Sequence, residues 1–110
     1  MSAFELAPRP IYQPEAPVRD RRYLVFLRQL CCVVCTSRRH VEASHFGPRG
    51  LGQRASDTDA LPLCRKCHRT GSASYHVLGA RRFVEVHSLN VELHQRQCRE
   101  GYARIARRVR

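Results

Sequence analysis

Tryptophan is absent from this chain, and its 110 residues include only four tyrosines and four phenylalanines. A core built mainly from large aromatic rings is excluded, and a chain this short buries only part of the surface it exposes when unfolded. Lysine is nearly missing as well. Lys66 is the only one, so the 20 basic residues are almost all arginine, and the 9 acidic ones leave a net charge of +11. An acidic partner is implied. Because guanidinium contacts phosphate in bidentate fashion, nucleic acid is the leading inference, with a solvated basic surface as the plainer alternative. No apolar run is long enough to cross a bilayer. The opening MSAFELAPRPIYQPEAPVRD has no basic start followed by an apolar stretch, so a secretory signal is not expected and a cytoplasmic location is. In a reducing compartment the six cysteines read as metal ligands before disulfides.

Residues 1–18 carry Pro8, Pro10, Pro14 and Pro17, which deny regular helix and mark an arm. The remainder, 19–110, reads as a single domain. Tyr23, Phe26, Leu27 and Leu30 fall at helical spacing between about Arg19 and Leu30. Val41 to Phe46 alternates like a short strand, and Ala60–Leu63, broken by Pro62, looks like an edge strand leading into the helical opening CRKCHRT. Gly71, Ser72 and Ser74 interrupt that helix, a short one follows over Ala80–His87, and Asn90 is placed to cap the last. Glu92 with Arg96, and Glu100 with Arg104, stand four apart along it.

Two C-x-x-C pairs, Cys32/Cys35 and Cys64/Cys67, can supply the four sulfurs that tetrahedral Zn²⁺ favours in a structural site. The second pair is followed by His68. The string CRKCH therefore also spells a haem attachment or a redox dithiol, but a redox motif needs only one pair, and no wall for a porphyrin is apparent. Cys31 lacks the two-residue spacing that Cys32 has to Cys35, and Cys98 reads as a small buried residue.

Between the pairs lie Glu42-Ala43-Ser44-His45, a Gly47 to Arg54 loop with Gly50 and Gly52, and Ser56-Asp57-Thr58-Asp59 leading to ALPLC and CH. In this order the chain, over roughly residues 20 to 90, resembles the HNH nuclease superfamily, and most closely the small phage- and prophage-borne HNH proteins associated with recombination. The resemblance implies an α+β fold: a small ββα-metal core with a four-cysteine zinc site, an N-terminal helix and C-terminal helices. It implies a metal-dependent endonuclease that hydrolyses or nicks DNA. His45 would be the general base, while Asp59 and His68 would hold a catalytic divalent ion, Mg²⁺ or another, distinct from the structural zinc. Phosphodiester hydrolysis independently wants a base titrating near neutrality and a cation against the phosphate.

The loop arginines Arg49 and Arg54 are candidate phosphate contacts, with Arg65, Lys66 and Arg69 extending the basic surface. Where many members of the superfamily carry Asp or His before the base, this chain has Ser44; Asp57 and His76 are the candidates to compensate. The alternative functions are a zinc-dependent module that binds nucleic acid without cutting it, and a recombination accessory protein. A homodimer or a recombination-protein partner stays open, and no membrane partner is expected.

Overall fold

The computed structural model describes residues 16–47 and 54–108. The proline arm therefore lies mostly outside the described residues, as does the glycine-rich loop from 48 to 53. Helix α1 spans Arg21–Arg28; Asp20 caps it, its carboxylate accepting from the Tyr23 amide at 3.1 Å. This is two turns of the expected helix, with Tyr23 and Leu27 turned inward. Strand β1 (Val41–His45) pairs antiparallel with β2 (Ala60–Cys64), Val41 opposite Cys64 and His45 opposite Ala60. A single 3₁₀ turn, Asp57–Asp59, leads into β2.

All five residues of β2 are buried, because both edges of the strand are covered. One edge meets β1. On the other side the Val33 amide donates to the Pro62 carbonyl at 3.1 Å, so the first cysteine loop shields the sheet at the residue that has no N–H to offer. That loop turns back on itself through Thr36 N–H to Cys32 O at 2.9 Å and Cys32 N–H to Ser37 O at 2.8 Å. Thr36 takes a φ of 64° to do so.

After β2 the chain does not open an α-helix. Lys66–Thr70 forms one wide π-turn closed by Gly71 N–H to Lys66 O at 2.9 Å. A Cβ on Gly71 would lie 2.9 Å from that same carbonyl, so the closure requires glycine. Helix α2 (Tyr75–Leu78) is capped by Ser74, whose hydroxyl accepts from Val77 N–H and donates to Arg69 O. Helix α3 covers Ala80–His87 and helix α4 Val91–Arg108, the latter begun by Asn90 accepting from Leu93 N–H at 3.1 Å. On α4 the ion pair that forms is Arg96 with Glu100, at 4.0 Å.

The core joins Tyr23 and Leu27 of α1 to Phe46, Leu61, Leu63, Phe83 and Leu89, with Cys98 of α4 at its edge. Few rings are present and they are used together. Phe46 meets Tyr75 edge-on at 4.5 Å, and Tyr23 meets Tyr102 at 5.1 Å. The fold is thus α+β, with a two-stranded antiparallel sheet, several helices and a four-cysteine cluster. Among the described residues no helix is long and apolar enough to cross a membrane.

Candidate metal centre and histidine cleft

Cys32, Cys35, Cys64 and Cys67 bring their sulfurs within 4.8 Å of one another. The Cys35 and Cys64 sulfurs are 3.5 Å apart, close to the roughly 3.8 Å separation expected of tetrahedral ligands about 2.3 Å from zinc. Cys67 N–H also points at the Cys64 sulfur. Burial, and then the neighbouring sulfurs of Cys64, Cys32 and Cys35, push the Cys67 thiol well up. Four crowded thiols cannot all ionise without a cation among them, so the donor set, its spacing and its electrostatics fit a structural Zn²⁺. Cys31 is exposed and Cys98 buried, and neither joins the group. Burial raises the Cys98 thiol to about 11.

The π-turn separates two adjoining side chains. Cys67 turns to the sulfurs, while His68 turns to a cleft of about 330 Å³ lined by Leu24, Arg28, Ala43, His45, Arg54, His68, Tyr75 and His76. His45 Nε2 lies 2.8 Å from Asp57 Oδ1. Asp57 is 3% exposed. Burial alone would raise its carboxyl, but the His45 bond, the Asp20 amide at 2.8 Å and the His45 and Arg19 charges hold it below the usual carboxylate range. An ionised carboxylate only accepts, so the His45 proton sits on Nε2 and the lone pair of the neutral ring is on Nδ1. The Tyr75 hydroxyl donates to the His45 carbonyl at 3.0 Å and steadies the strand end.

His68 is fixed in the opposite sense. Its Nδ1 donates to Glu42 Oε1 at 2.8 Å, and Glu42 is itself gripped by Arg69. Burial works to raise Glu42, but the bonds and charges of Arg69 and His68 keep it low. Burial, outweighing Glu42 and reinforced by His76 and Arg69, lowers His68, so the neutral ring prevails at neutral pH with its lone pair on Nε2. His76 Nε2 lies 3.1 Å from that atom. Two nitrogens about 2.0–2.1 Å from one ion stand roughly 2.9–3.4 Å apart, so the imidazole pair has the spacing of two ligands on a shared cation. Among the described residues no third His, Cys, Asp or Glu joins them in a metal-binding group.

Asp59, given to the ion by the resemblance, is placed elsewhere. Its carboxylate pairs with Arg99 of α4 at 3.2 Å, its carbonyl accepts from Gln95, and it shares no ligand cluster with His68. The 3₁₀ turn explains the exchange: at three residues per turn, Asp57 and Asp59 leave it in different directions, and Asp57 is the one aimed at His45. Ser44 is fully buried, its hydroxyl without a hydrogen-bond partner among the described residues, and it does not line the cleft. Of the two candidates to compensate for it, His76 meets His68 and Asp57 meets His45. Arg65 and Arg69 are both paired with Glu42, Lys66 is exposed, Arg54 lines the cleft, and Arg49 lies outside the described residues. Arg28 was missed by sequence reasoning, although Leu24 four residues earlier marks the same helical face. Comparison of the chain with protein-family models, with curated proteins and with solved structures gives no match.

Proposed function

We propose that the chain is a metal-dependent endonuclease built on a zinc-stabilised ββα-metal core, hydrolysing DNA phosphodiesters. The observation that carries this reading is the cleft, where His45, oriented by Asp57, and the His68–His76 pair, in which His68 is oriented by Glu42, face the same space. His45, its Nε2 proton committed to Asp57, takes the proton of an attacking water on Nδ1 as that oxygen bonds to phosphorus and the bond to the leaving oxygen breaks. Asp57 stabilises the imidazolium so formed, and the +11 chain draws in the polyanion. His68 and His76 would hold a divalent cation, which supplies charge neutralisation at the phosphate and the leaving oxygen.

Two imidazoles suit Mn²⁺, Ni²⁺, Co²⁺ or Zn²⁺ better than Mg²⁺, whose preference is for oxygen. Cys32, Cys35, Cys64 and Cys67 serve the fold and not the reaction. By its resemblance to recombination-associated HNH proteins, the enzyme acts in processing of phage or prophage DNA. A DNA-binding module that does not cleave is the second reading, favoured by the limit of two clustered protein ligands in the cleft. Supercoiled plasmid incubated with the protein and Mg²⁺, Mn²⁺ or Ni²⁺ separates the two. Nicking strongest with Mn²⁺ or Ni²⁺ and reduced at least about 100-fold in His45→Ala supports hydrolysis; equal nicking by both proteins, or binding without nicking, refutes it.

A further inference from the structure

The cleft wall carries two arginines, Arg28 and Arg54, that pair with no carboxylate among the described residues. Among the described residues most of the arginines near a carboxylate are already spent: Arg65 and Arg69 on Glu42, Arg19 on Asp57, Arg99 on Asp59, and, farther out, Arg81 on Glu85 and Arg96 on Glu100. Among the described residues the lining of the cleft contains three histidines and two arginines, Arg28 and Arg54, and no Asp or Glu. The carboxylates of Asp57 and Glu42 stand behind the histidines, bonded to them and outside the lining.

We propose that Arg28 and Arg54 together seat a phosphodiester group of the nucleic acid substrate in this cleft, a role that rests on the nuclease reading for the identity of the anion. Both residues are exposed, and neither forms an ion pair among the described residues. Neither stem is left to chance. Arg28 follows Leu24 by one turn of α1, and Leu24 packs against the core while also lining the cleft, so the helix face presents Arg28 at the rim. Arg54 is fixed through its backbone: Arg19 Nη2 donates to Arg54 O at 3.0 Å, and Arg19 Nη1 donates to Ala55 O at 2.8 Å. A planar fork suits two phosphate oxygens at once, and a wall free of carboxylate imposes no repulsion on the anion. Composition alone would favour Arg65 and Arg69, next to the cysteines, but both are already paired with Glu42.

The test is fluorescence anisotropy of a labelled mixed-sequence DNA duplex and of its single strand, over a range of salt, with zinc-loaded protein and no added divalent ion, so that binding is read without cleavage. Arg28→Ala and Arg54→Ala are each expected to weaken binding about tenfold and to lower the slope of log K against log salt by about 0.9 for duplex. Arg65→Ala and Arg96→Ala, already paired, should change affinity by less than about twofold. Arg28→Lys should recover most of the salt slope but only part of the affinity, since it restores charge without the fork. Circular dichroism melting of each variant checks that the fold is retained. If all four alanine variants weaken binding alike, or the Arg65 variant weakens it most, the seat is refuted while DNA binding stands. If wild type binds neither duplex nor single strand, the nuclease reading falls and the seat falls with it.

Discussion

Replacing Asp57 with asparagine removes one charge at nearly constant volume, and the structure sets what this costs. One carboxylate oxygen accepts from His45 Nε2 at 2.8 Å and from Arg19 Nη1 at 3.4 Å; the other accepts from the Asp20 amide at 2.8 Å. Every partner is a donor. An amide must turn its own NH₂ toward one side, either against the Asp20 N–H or against His45 and Arg19. Turned toward Asp20, it sets its own N–H against the Asp20 N–H in a site only 3% exposed and forfeits the charge-assisted bond there. Turned toward His45, it leaves the Arg19 guanidinium to solvent, which Arg19 can reach, and forces the imidazole proton onto Nδ1.

The expected loss is about 2–3 kcal/mol, between one forfeited bond to a charged group and the cost of breaking a buried pair. The sign with pH follows from the depressed Asp57 carboxyl. Its stabilisation is fully present above the unfolded carboxylate value near 4 and is lost as pH falls through the lower folded value. Urea titrations of wild type and Asp57→Asn, with zinc present throughout, should therefore differ by this amount from pH 8 down to about pH 5. Below about pH 4 the difference should shrink; taking the difference at each pH cancels the acid release of zinc common to both proteins. A difference under about 0.5 kcal/mol at pH 7, or one that does not shrink below about pH 4, would show that Asp57 is not held as an ionised acceptor.

Stripping the metal, or Cys64→Ser, should unfold the chain: structural zinc contributes about 10–16 kcal/mol of apparent binding free energy, as much as or more than the whole stability of a small domain. Purified protein should carry one zinc, and unchanged circular dichroism after chelation would contradict the reading. Gly47→Ala should destabilise by about 1–2 kcal/mol, since Gly47 has φ +121° and its Cβ would meet Asp59 Oδ2 at 3.0 Å. Gly79→Ala, with φ +82° but nothing within 4 Å, strains only the backbone and should cost less; equal melting points for the two variants would refute the contact.

Local chemistry was readable before the structure, and long-range pairing was not. The spacing of Cys32, Cys35, Cys64 and Cys67 announces their clustering, the Val41–His45 alternation its strand, and Asn90 its helix. Asp57 and Asp59 are equivalent as letters. What separates them is the short turn they share and the Val18–Asp20 segment, whose Val18 carbonyl and Asp20 amide bind Asp57 across 37 residues or more of sequence. The same holds for arginine: it is Glu42 that pairs with Arg65 and Arg69, and it lies more than 20 residues away. Helical opening turns were expected at CRKCHRT because charge and spacing allow them; the closure at Gly71 makes them one wide turn instead.

That turn has a thermodynamic consequence. Cys67 and His68 are successive residues inside a loop of backbone closed by a single hydrogen bond, so the sulfur cluster and the imidazole pair share one rigid part. By reciprocity, whatever factor zinc adds to the grip of His68 and His76 on a ligand, that ligand adds to the grip of the four cysteines on zinc. The zinc affinity of the four cysteines, read at equilibrium against a competing chelator, should then change when the cleft is occupied, which joins the stability of the fold to whatever the cleft holds.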